Sequence, residues 1–333
     1  MPCRSFSPPS GIHLRPFAGP QDFAAMVDCA NASFAEDQTG WFRTVEEMAR
    51  NYAAFVDCVP ERDVCIAEVG GEIAGYVRCW PYVQADGLHL YAQFGVMAPQ
   101  WRRRGIGRAL HAWMEARQQE MARAHPQALA HAHQAFVTQG ETARAALLEK
   151  AGYRAERHFF SMVRQNLDGI PDFPLPAGLE VRPVEPTHYR AIWEAHQQAF
   201  RTHWGFAPGT EADYLAWLSS PVFQPGLWQV AWDVDSGRVA GQVRTYIDAT
   251  WNRANGVQRG WTEFISVGEP WRRRGLARAL IVRSLRAQQA AGMTQSGLAV
   301  DTQNRDGALR VYESCGFVAA KRDCVYRKPL LLA

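Results

Sequence analysis

The chain has 333 residues, a length that suggests about two domains, each long enough to bury its own core. Its composition, 47% hydrophobic and 21% charged, is typical of a globular protein, and no apolar run approaches the roughly 20 residues needed to span a bilayer. The 36 basic residues nearly balance the 33 acidic ones, for a net charge of +3, which argues against a nucleic-acid-binding surface.

The first half of the chain predicts a mixed α/β arrangement. A short strand at Ile12–Pro16 leads into a helical region, and the stretch "VCIAEVGGEIAGYVRCW" predicts a hairpin that turns at Gly70-Gly71. A strand over Leu88–Met97 follows, and after it comes the arginine-rich decamer "WRRRGIGRAL" at 101–110, which opens a helix. The half closes with a strand, a helix and a final strand after a Gly-aromatic pair.

The second half repeats this order. A strand at Leu179–Pro183, a hairpin turning at 235–237 and a strand at Gly260–Val267 precede a second decamer, "WRRRGLARAL", at 271–280. The two decamers are identical at eight of ten positions, and pairs such as "IAGYVR" and "VAGQVR" extend the repeat. The sequence therefore predicts two domains of one fold, at 11–166 and 178–333, joined by a Pro- and Gly-rich linker at 167–177.

The cysteines and the N-terminus indicate the compartment. Seven cysteines form an odd set with no CxxC pair, which points to neither a disulfide framework nor a zinc site, and no metal is expected. The opening "MPCRSFSPPSG" is polar and does not look like a signal peptide. We expect a cytoplasmic protein without a membrane partner, monomeric or homodimeric.

The decamer has the chemistry of a phosphate-binding turn. A strand that ends just before it leaves several backbone N–H groups at a helix N-terminus without intrahelical partners, and its glycine lets a ligand approach the backbone. The helix dipole and the arginines add positive charge. Neither GxxxxGK[ST] nor GxGxxG is present, so the turn is neither a P-loop nor a dinucleotide fingerprint.

Both decamers, with the closing stretch "ALRVYESCGF" at 308–317, resemble the acyl-CoA-binding signature R-x-x-G-x-[G/A] and the final motif of the GNAT superfamily of N-acyltransferases. The resemblance implies two tandem GNAT-like domains, each a mixed twisted sheet flanked by helices, and acetyl-CoA as donor. It implies donor contacts at Val96, Arg102, Arg103, Arg104, Gly105, Ile106 and Gly107 in the first half, and at Ile265, Val267, Arg272, Arg273, Arg274, Gly275, Leu276, Ala277 and Asn304 in the second.

Acyl transfer to an amine moves two protons, one from the amine and one to the departing thiolate. By resemblance, Tyr312 occupies the position of the superfamily's tyrosine on the last helix, and Glu263 lies on the central strand where a carboxylate acts as base. A core aromatic and a solvent-facing carboxylate are the alternative interpretations of these two residues.

The repeat offsets carry these positions into the first half. An offset of 170 takes Glu263 to Gln93, and an offset of 164 takes Tyr312 to Leu148 and Asn304 to Gly140. Neither Gln93 nor Leu148 can move a proton. The sequence thus predicts a catalytic second domain and a catalytically degenerate first domain that keeps its phosphate-binding turn.

The acceptor side is less defined. The region 193–218 is rich in aromatic and histidine residues, and it holds no cluster of basic residues that would indicate an anionic acceptor. We expect direct transfer to the primary amine of a small molecule. A non-catalytic acyl-CoA sensor and acetylation of a peptide or protein amine are the alternatives. Candidate lining residues are Trp193, His196, His203, Trp204, Phe206 and Trp217.

Overall fold

A computed structural model of the chain describes residues 10–126, 129–304 and 307–332. These residues form two compact units. Unit 1 is made of residues up to 157 together with those from 323 onward, and unit 2 is made of residues 158–322. Among the described helices, none combines the length and the apolar composition that a membrane-crossing segment needs.

Unit 1 is a twisted sheet with helices packed on its strands. The strand order is β1-β2-β3-β4-β5-β12; β4 and β5 run parallel, and the other neighbours whose pairing is described run antiparallel. Its strands are β1 (Ile12–Pro16), β2 (Val64–Val69), β3 (Glu72–Val83), β4 (His89–Met97), β5 (His131–Val137) and the end of β12 (Val318–Pro329). Its helices are α1 (Phe23–Glu36), α2 (Val45–Ala53), α3 (Pro60–Asp63), α4 (Ile106–Arg123) and α5 (Thr142–Lys150).

Unit 2 repeats this architecture. Its strand order is β6-β11-β10-β9-β8-β7, and β10 and β11 form its parallel pair. Its strands are β6 (Arg154–Arg164), β7 (Leu179–Val181), β8 (Gln229–Asp233), β9 (Val239–Ile247), β10 (Arg259–Val267) and β11 (Gln295–Asp301). Its helices are α6 (Tyr189–Phe200), α7 (Glu211–Leu218), α8 (Ala249–Asn255), α9 (Leu276–Ala290) and α10 (Ala308–Ser314).

The closing strands depart from the order of the two sequence halves. Strand β6, which ends the first half, pairs with β11 of unit 2 over 159–164. The last part of β12, which ends the second half, pairs with β5 of unit 1 over 324–329. Each unit therefore contains a strand from the other half. The predicted boundaries at 11–166 and 178–333 do not include this exchange and stay a prediction for where independently folding domains begin and end.

The predicted elements are otherwise confirmed with small shifts. Strand β1 has the predicted bounds, and the β2–β3 hairpin turns at Gly70-Gly71, where both residues have positive φ, 59° and 87°, as a two-residue type I′ turn needs. Strand β7 ends two residues before the predicted end at Pro183, which has no N–H to donate. The buried faces of α4 and α9 begin at Ile106 and Leu276, each 1% exposed, and pack these helices onto their own sheets.

Candidate functional site

Each arginine-rich turn connects the central strand of its unit to a long helix. In both turns the second arginine and the glycine adopt positive φ, 65° and 84° at Arg103 and Gly105, and 62° and 87° at Arg273 and Gly275. Each glycine is the N-cap of its helix. Glycine is favoured there because other side chains are strained in the left-handed region. The two turns therefore share one backbone conformation, as the repeated sequence predicts.

The N–H groups of these turns point away from the protein's own acceptors. Within the described part of the chain, the amides of 103–107 and of 273–277 donate to no backbone or side-chain oxygen. Five successive amides at a helix N-terminus form an anion-binding concavity, which the helix dipole reinforces. The side chains of Ile106 and Leu276 are buried in the core, so only their backbone can reach a ligand. The arrangement fits a diphosphate.

The first arginine of each turn is held by the protein. Arg102 donates from Nε to the Met97 carbonyl at 3.2 Å and forms a bidentate ion pair with Asp37 at 2.7 and 2.8 Å. Arg272 donates from Nε to the Val267 carbonyl at 3.1 Å and from Nη2 to the Ala199 carbonyl at 3.1 Å. These bonds tie the turn to the preceding strand and to the first helix of the unit. The phosphate contacts expected of both side chains stay a prediction.

The other two arginines of each turn are exposed. Arg104 lies over the Trp101 ring at 4.8 Å, and Arg274 donates to the Ala177 carbonyl at 2.8 Å. The Arg103 and Arg273 side chains have no ion-pair partner among the described residues. Arg103 and Arg273 are thus the arginines best placed for an external anion.

Strand β10 leaves its parallel neighbour partway along its length. Pairing with β11 runs from Arg259 to Trp261, although β10 continues to Val267. On the other side, the pairing with β9 shifts by one residue between Glu263 and Ser266, a β-bulge in which Phe264 has a φ of 51°. A bulge bends the strand and disrupts the ladder locally. The separation of β10 from β11 leads from Glu263 toward the turn, and Ile265 and Val267 lie along it.

Glu263 lies at the start of this separation. Its Oε1 accepts a hydrogen bond from the Ala299 N–H of β11 at 3.0 Å. Burial raises the pKa of Glu263 to about 7, and the hydrogen bonds from the Ala299 and Phe264 amides oppose this shift only in part. A carboxyl group with this pKa changes its protonation near neutral pH, as a general base for an amine requires.

Tyr312 lies on α10 with 8% of its surface exposed. Its hydroxyl has no hydrogen-bond partner among the described residues. Burial raises the pKa of Tyr312, and the negative charge of Glu263 raises it further. The phenol therefore stays protonated at neutral pH and can act as a proton donor.

Unit 1 has the same positions with different side chains. Leu148 corresponds to Tyr312: each carbonyl accepts from the amide of the aromatic residue after the helix-ending glycine, Tyr153 and Phe317, at 3.0 and 3.1 Å. The assignment of Gln93 as the counterpart of Glu263 is wrong by one residue, because β4 has no bulge. Arg78 of β3 pairs with Phe94, whereas the repeat-related Arg244 of β9 pairs with Glu263.

Phe94 is no more titratable than Gln93, so the loss of the base still follows. Gln93 faces the opposite side of the sheet, where its amide donates to the Tyr153 hydroxyl at 2.8 Å. The Gln93 carbonyl accepts from Arg144 of α5 at 3.2 Å, close to the point where the pairing of β4 with β5 ends. An offset of 164 places Ala308 at the position of Arg144. Unit 1 thus has an arginine donor at a position where unit 2 has the small side chain of Ala308.

The structure also locates Val96 and Asn304, two further residues predicted to contact the acyl donor. Val96 lies on β4, 6% exposed, and packs in the core against α1. Asn304 follows β11, and its amide donates to the Asp301 carbonyl at 3.1 Å. Gly140, its counterpart by offset, lies at a φ of 108° before α5. The ligand contacts at Val96 and Asn304 stay predictions.

The aromatic region at 193–218 divides into two parts. Trp193 and Trp217 are half-buried and pack among Tyr214, Phe223 and Trp228. His196 on α6 is close to the central strand, with its ring 5.8 Å from that of Phe264. The remaining predicted residues of this region lie in the turn after α6, where His203 stacks on Phe200 at 4.3 Å and Trp204 lies 6.4 Å from Phe159, with Phe206 half-buried.

Sequence reasoning missed Arg244. It lies on β9 opposite Glu263, 2% exposed, with its guanidinium 4.2 Å from the Phe264 ring and 5.1 Å from the Trp217 ring. The available signal was the arginine shared by "IAGYVR" and "VAGQVR", a charged residue inside an otherwise apolar strand.

Comparisons with known proteins match both halves of the chain. The sequence model of the acetyltransferase (GNAT) family matches residues 189–317, and a second GNAT domain model matches 60–155. A mycothiol acetyltransferase of Thermomonospora curvata is 30% identical over 263 residues, which cover 78% of this chain and 80% of that protein.

Solved structures agree as well. A GCN5-related N-acetyltransferase from Sphaerobacter thermophilus is 26% identical, with 97% of each chain covered and a TM-score of 0.76. A tandem GNAT protein from the clavulanic acid biosynthesis pathway covers 96% of this chain and 98% of its own at 17% identity, with a TM-score of 0.66, which shows a shared fold.

Proposed function

Because this chain belongs to the GNAT family of acetyltransferases, we propose that unit 2 transfers an acetyl group from acetyl-CoA directly to the primary amine of a small molecule. The observation that carries the proposal is the carboxyl of Glu263, which lies where β10 separates from β11 and leads to an open amide turn, together with the protonated phenol of Tyr312 on α10. Acetyl-CoA supplies the activated thioester. The amides of 273–277 bind its diphosphate, with Arg273 as the side chain free to add charge.

Each of the two titratable groups carries out one of the two proton transfers. Glu263, with a pKa of about 7, accepts the proton that the amine loses as its nitrogen bonds to the acetyl carbonyl carbon. Tyr312, whose pKa is raised, donates its proton to the sulfur as the carbon–sulfur bond breaks. The bulge at Phe264 and the separation from β11 free backbone groups of β10 to hold the thioester arm in line with these two side chains.

Unit 1 keeps the turn and lacks the proton-moving groups. We propose that it binds acyl-CoA or supports unit 2 without turnover. The similarity to mycothiol acetyltransferases favours a small-molecule acceptor over a protein amine. A sensor without activity is disfavoured because one unit retains both titratable groups and the other lacks both.

The test is release of free CoA from acetyl-CoA against a panel of small amines, with mass spectrometry to identify the N-acetylated product. We expect amine-dependent thiol release. Intact-protein mass spectrometry after incubation with acetyl-CoA alone checks direct transfer, because a covalent route would leave an acetylated protein. Binding of acetyl-CoA with no thiol release for any amine would support the sensor alternative and contradict the proposal.

A further inference from the structure

Arg244 is a buried charge without a partner. It is 2% exposed, and among the described residues it makes no hydrogen bond and no ion pair; its Nε and Nη1 are fully buried donors without acceptors. Its contacts are the ring faces of Phe264 and Trp217. Cation–π contact offsets only part of the cost of removing a guanidinium from water. Burial lowers the pKa of Arg244 to about 9, so the group is still charged at neutral pH.

Two more polar groups that are unsatisfied among the described residues lie near Arg244, one on α6 and one on its own strand β9. His196 of α6 is half-buried with its ring 5.8 Å from that of Phe264, and its buried Nδ1 has no partner. Burial and then the charge of Arg244 lower the pKa of His196, so the imidazole is neutral. Gln242, two residues before Arg244 on β9, has a buried Oε1 without a donor while its Nε2 bonds to the Ile192 carbonyl. Buried polar groups are normally satisfied, so a cluster of unsatisfied ones indicates a missing ligand.

The strand register places this cluster beside the reaction site. Arg244 and Glu263 are directly opposite each other on neighbouring antiparallel strands. Such pairs have Cβ atoms about 4.5–5.5 Å apart. Glu263 does not neutralise Arg244, because its carboxylate turns to the Ala299 amide of β11 on the other side. Arg244 therefore lies on the same face of the sheet as the proposed base, one strand away from it.

We propose that unit 2 recognises its acceptor by a carboxylate, which Arg244 binds with His196 beside it, so that the acceptors are small amines that also carry a carboxylate, such as amino acids. A carboxylate matches the planar donors of a guanidinium and supplies the negative charge that this site lacks. The inference rests on the proposed acetyl transfer by unit 2. It departs from the expectation from the sequence, in which the lack of a basic cluster at 193–218 gave no indication of an anionic acceptor, because Arg244 lies on β9 outside that region.

Unit 1 supplies a matched control. Arg78 is the repeat-related arginine of β3, packed 4.2 and 4.4 Å from the Phe55 and Trp80 rings, and its strand partner is Phe94 rather than a carboxylate. If Arg244 served packing alone, its substitution should affect the kinetic constants in the same way as the substitution of Arg78. Arg244→Met and Arg78→Met remove equivalent guanidinium groups and keep comparable apolar volume.

The experiment measures kcat and KM for amine pairs that differ only in a carboxylate against a carboxamide, such as glycine and glycinamide. For the wild type we expect a lower KM for the carboxylate members. Arg244→Met should raise their KM by about 10- to 100-fold, the size of a lost charge-assisted hydrogen bond, and leave the carboxamide members unchanged. Arg78→Met should change neither series. Equal effects of Arg244→Met on both series, or of both variants on one series, would overturn the inference.

A binding measurement separates this inference from the proposed function. Calorimetry with N-acetylglycine and N-acetylglycinamide, in the presence of CoA, reports product binding without turnover. We expect wild-type protein to bind the carboxylate more tightly and Arg244→Met to lose that preference while its thermal unfolding stays cooperative. Turnover of amines without carboxylate preference would refute only the carboxylate site. Preferential carboxylate binding with no turnover of any amine would support the site and refute the acetyl transfer.

Discussion

Units 1 and 2 share the conformation of the arginine-rich turn but differ in the side chains that lie behind it. Both turns present five amides that have no acceptor among the residues the structure describes, and both place glycine at a positive φ. Behind the turn, unit 2 has Glu263 and Tyr312, whereas unit 1 has Phe94 and Leu148. Backbone amides bind an anion in any sequence that keeps the turn, but proton transfer needs particular side chains at particular places. One copy of a duplicated fold can therefore keep the ability to bind an anion after it has lost the side chains needed for catalysis.

The largest expected effect is at the tyrosine position. Tyr312→Phe removes the proton donor and should lower kcat by about 100-fold or more, the usual contribution of a general acid. The affinity for acetyl-CoA should change less than about twofold, because the amide turn is untouched. Leu148→Met in unit 1 is the matched control and should leave kcat unchanged. Steady-state thiol release checks both, and wild-type turnover in Tyr312→Phe would remove the proton-donor assignment.

The next effect depends on pH. Glu263→Gln should lower kcat/KM by about 30-fold at pH 8, where the wild-type carboxyl is ionised and acts as base. The difference should shrink below pH 7, because the Glu263 carboxyl, with a pKa of about 7, is then protonated in the wild type as well. A pH–rate profile with the same acidic limb in both proteins would contradict the base assignment.

The same substitution has a stability signature independent of activity. A raised pKa means that folding favours the protonated carboxyl, so its stabilising contribution is present below the unfolded pKa of about 4.3 and is lost as pH rises through about 7. Glu263→Gln should therefore raise the free energy of unfolding at pH 8, by about 1–3 kcal/mol after allowance for partial exposure, and change it little at pH 4. Denaturant unfolding at the two pH values measures the difference; equal changes at both would contradict the burial of this charge.

The two glycines separate the roles of the two turns. Valine at Gly275 adopts a positive φ only with strain and brings a branched side chain to the open amides, so Gly275→Val should raise the KM for acetyl-CoA about tenfold. Gly105→Val introduces the same change in unit 1 and should leave the kinetic constants unchanged. Calorimetric titration with CoA should then lose the first site alone. A rise in KM from Gly105→Val would show that the first turn serves turnover.

The smallest expected effect is at the arginine of unit 1. Arg144→Ala removes the donor to the Gln93 carbonyl and copies Ala308 of unit 2. We expect a two- to fivefold gain in CoA affinity at the first turn, about the value of one hydrogen bond, with no gain in turnover. Measuring it in a Tyr312→Phe background isolates unit 1. Restored activity in the double variant would show that unit 1 is catalytically competent.

Local patterns predicted much of the fold. The Gly70-Gly71 turn, the bounds of β1 and the place of each decamer between a strand and a helix follow from turn chemistry and periodicity. The counterpart of Tyr312 was also predictable, because no insertion separates it from its glycine. The counterpart of Glu263 was not, because the one-residue bulge is invisible to a constant offset.

The amino-acid sequence by itself determined the duplication, the two glycine-capped turns and the unequal titratable groups, because each depends on residues near one another in the chain. The tertiary structure decided the rest: the exchange of closing strands between units, the ion pair that holds Arg102, and the burial of Arg244 opposite Glu263. Strand partners and desolvation arise from contacts distant in the chain, and their energies depend on what the fold places beside a side chain rather than on the side chain alone.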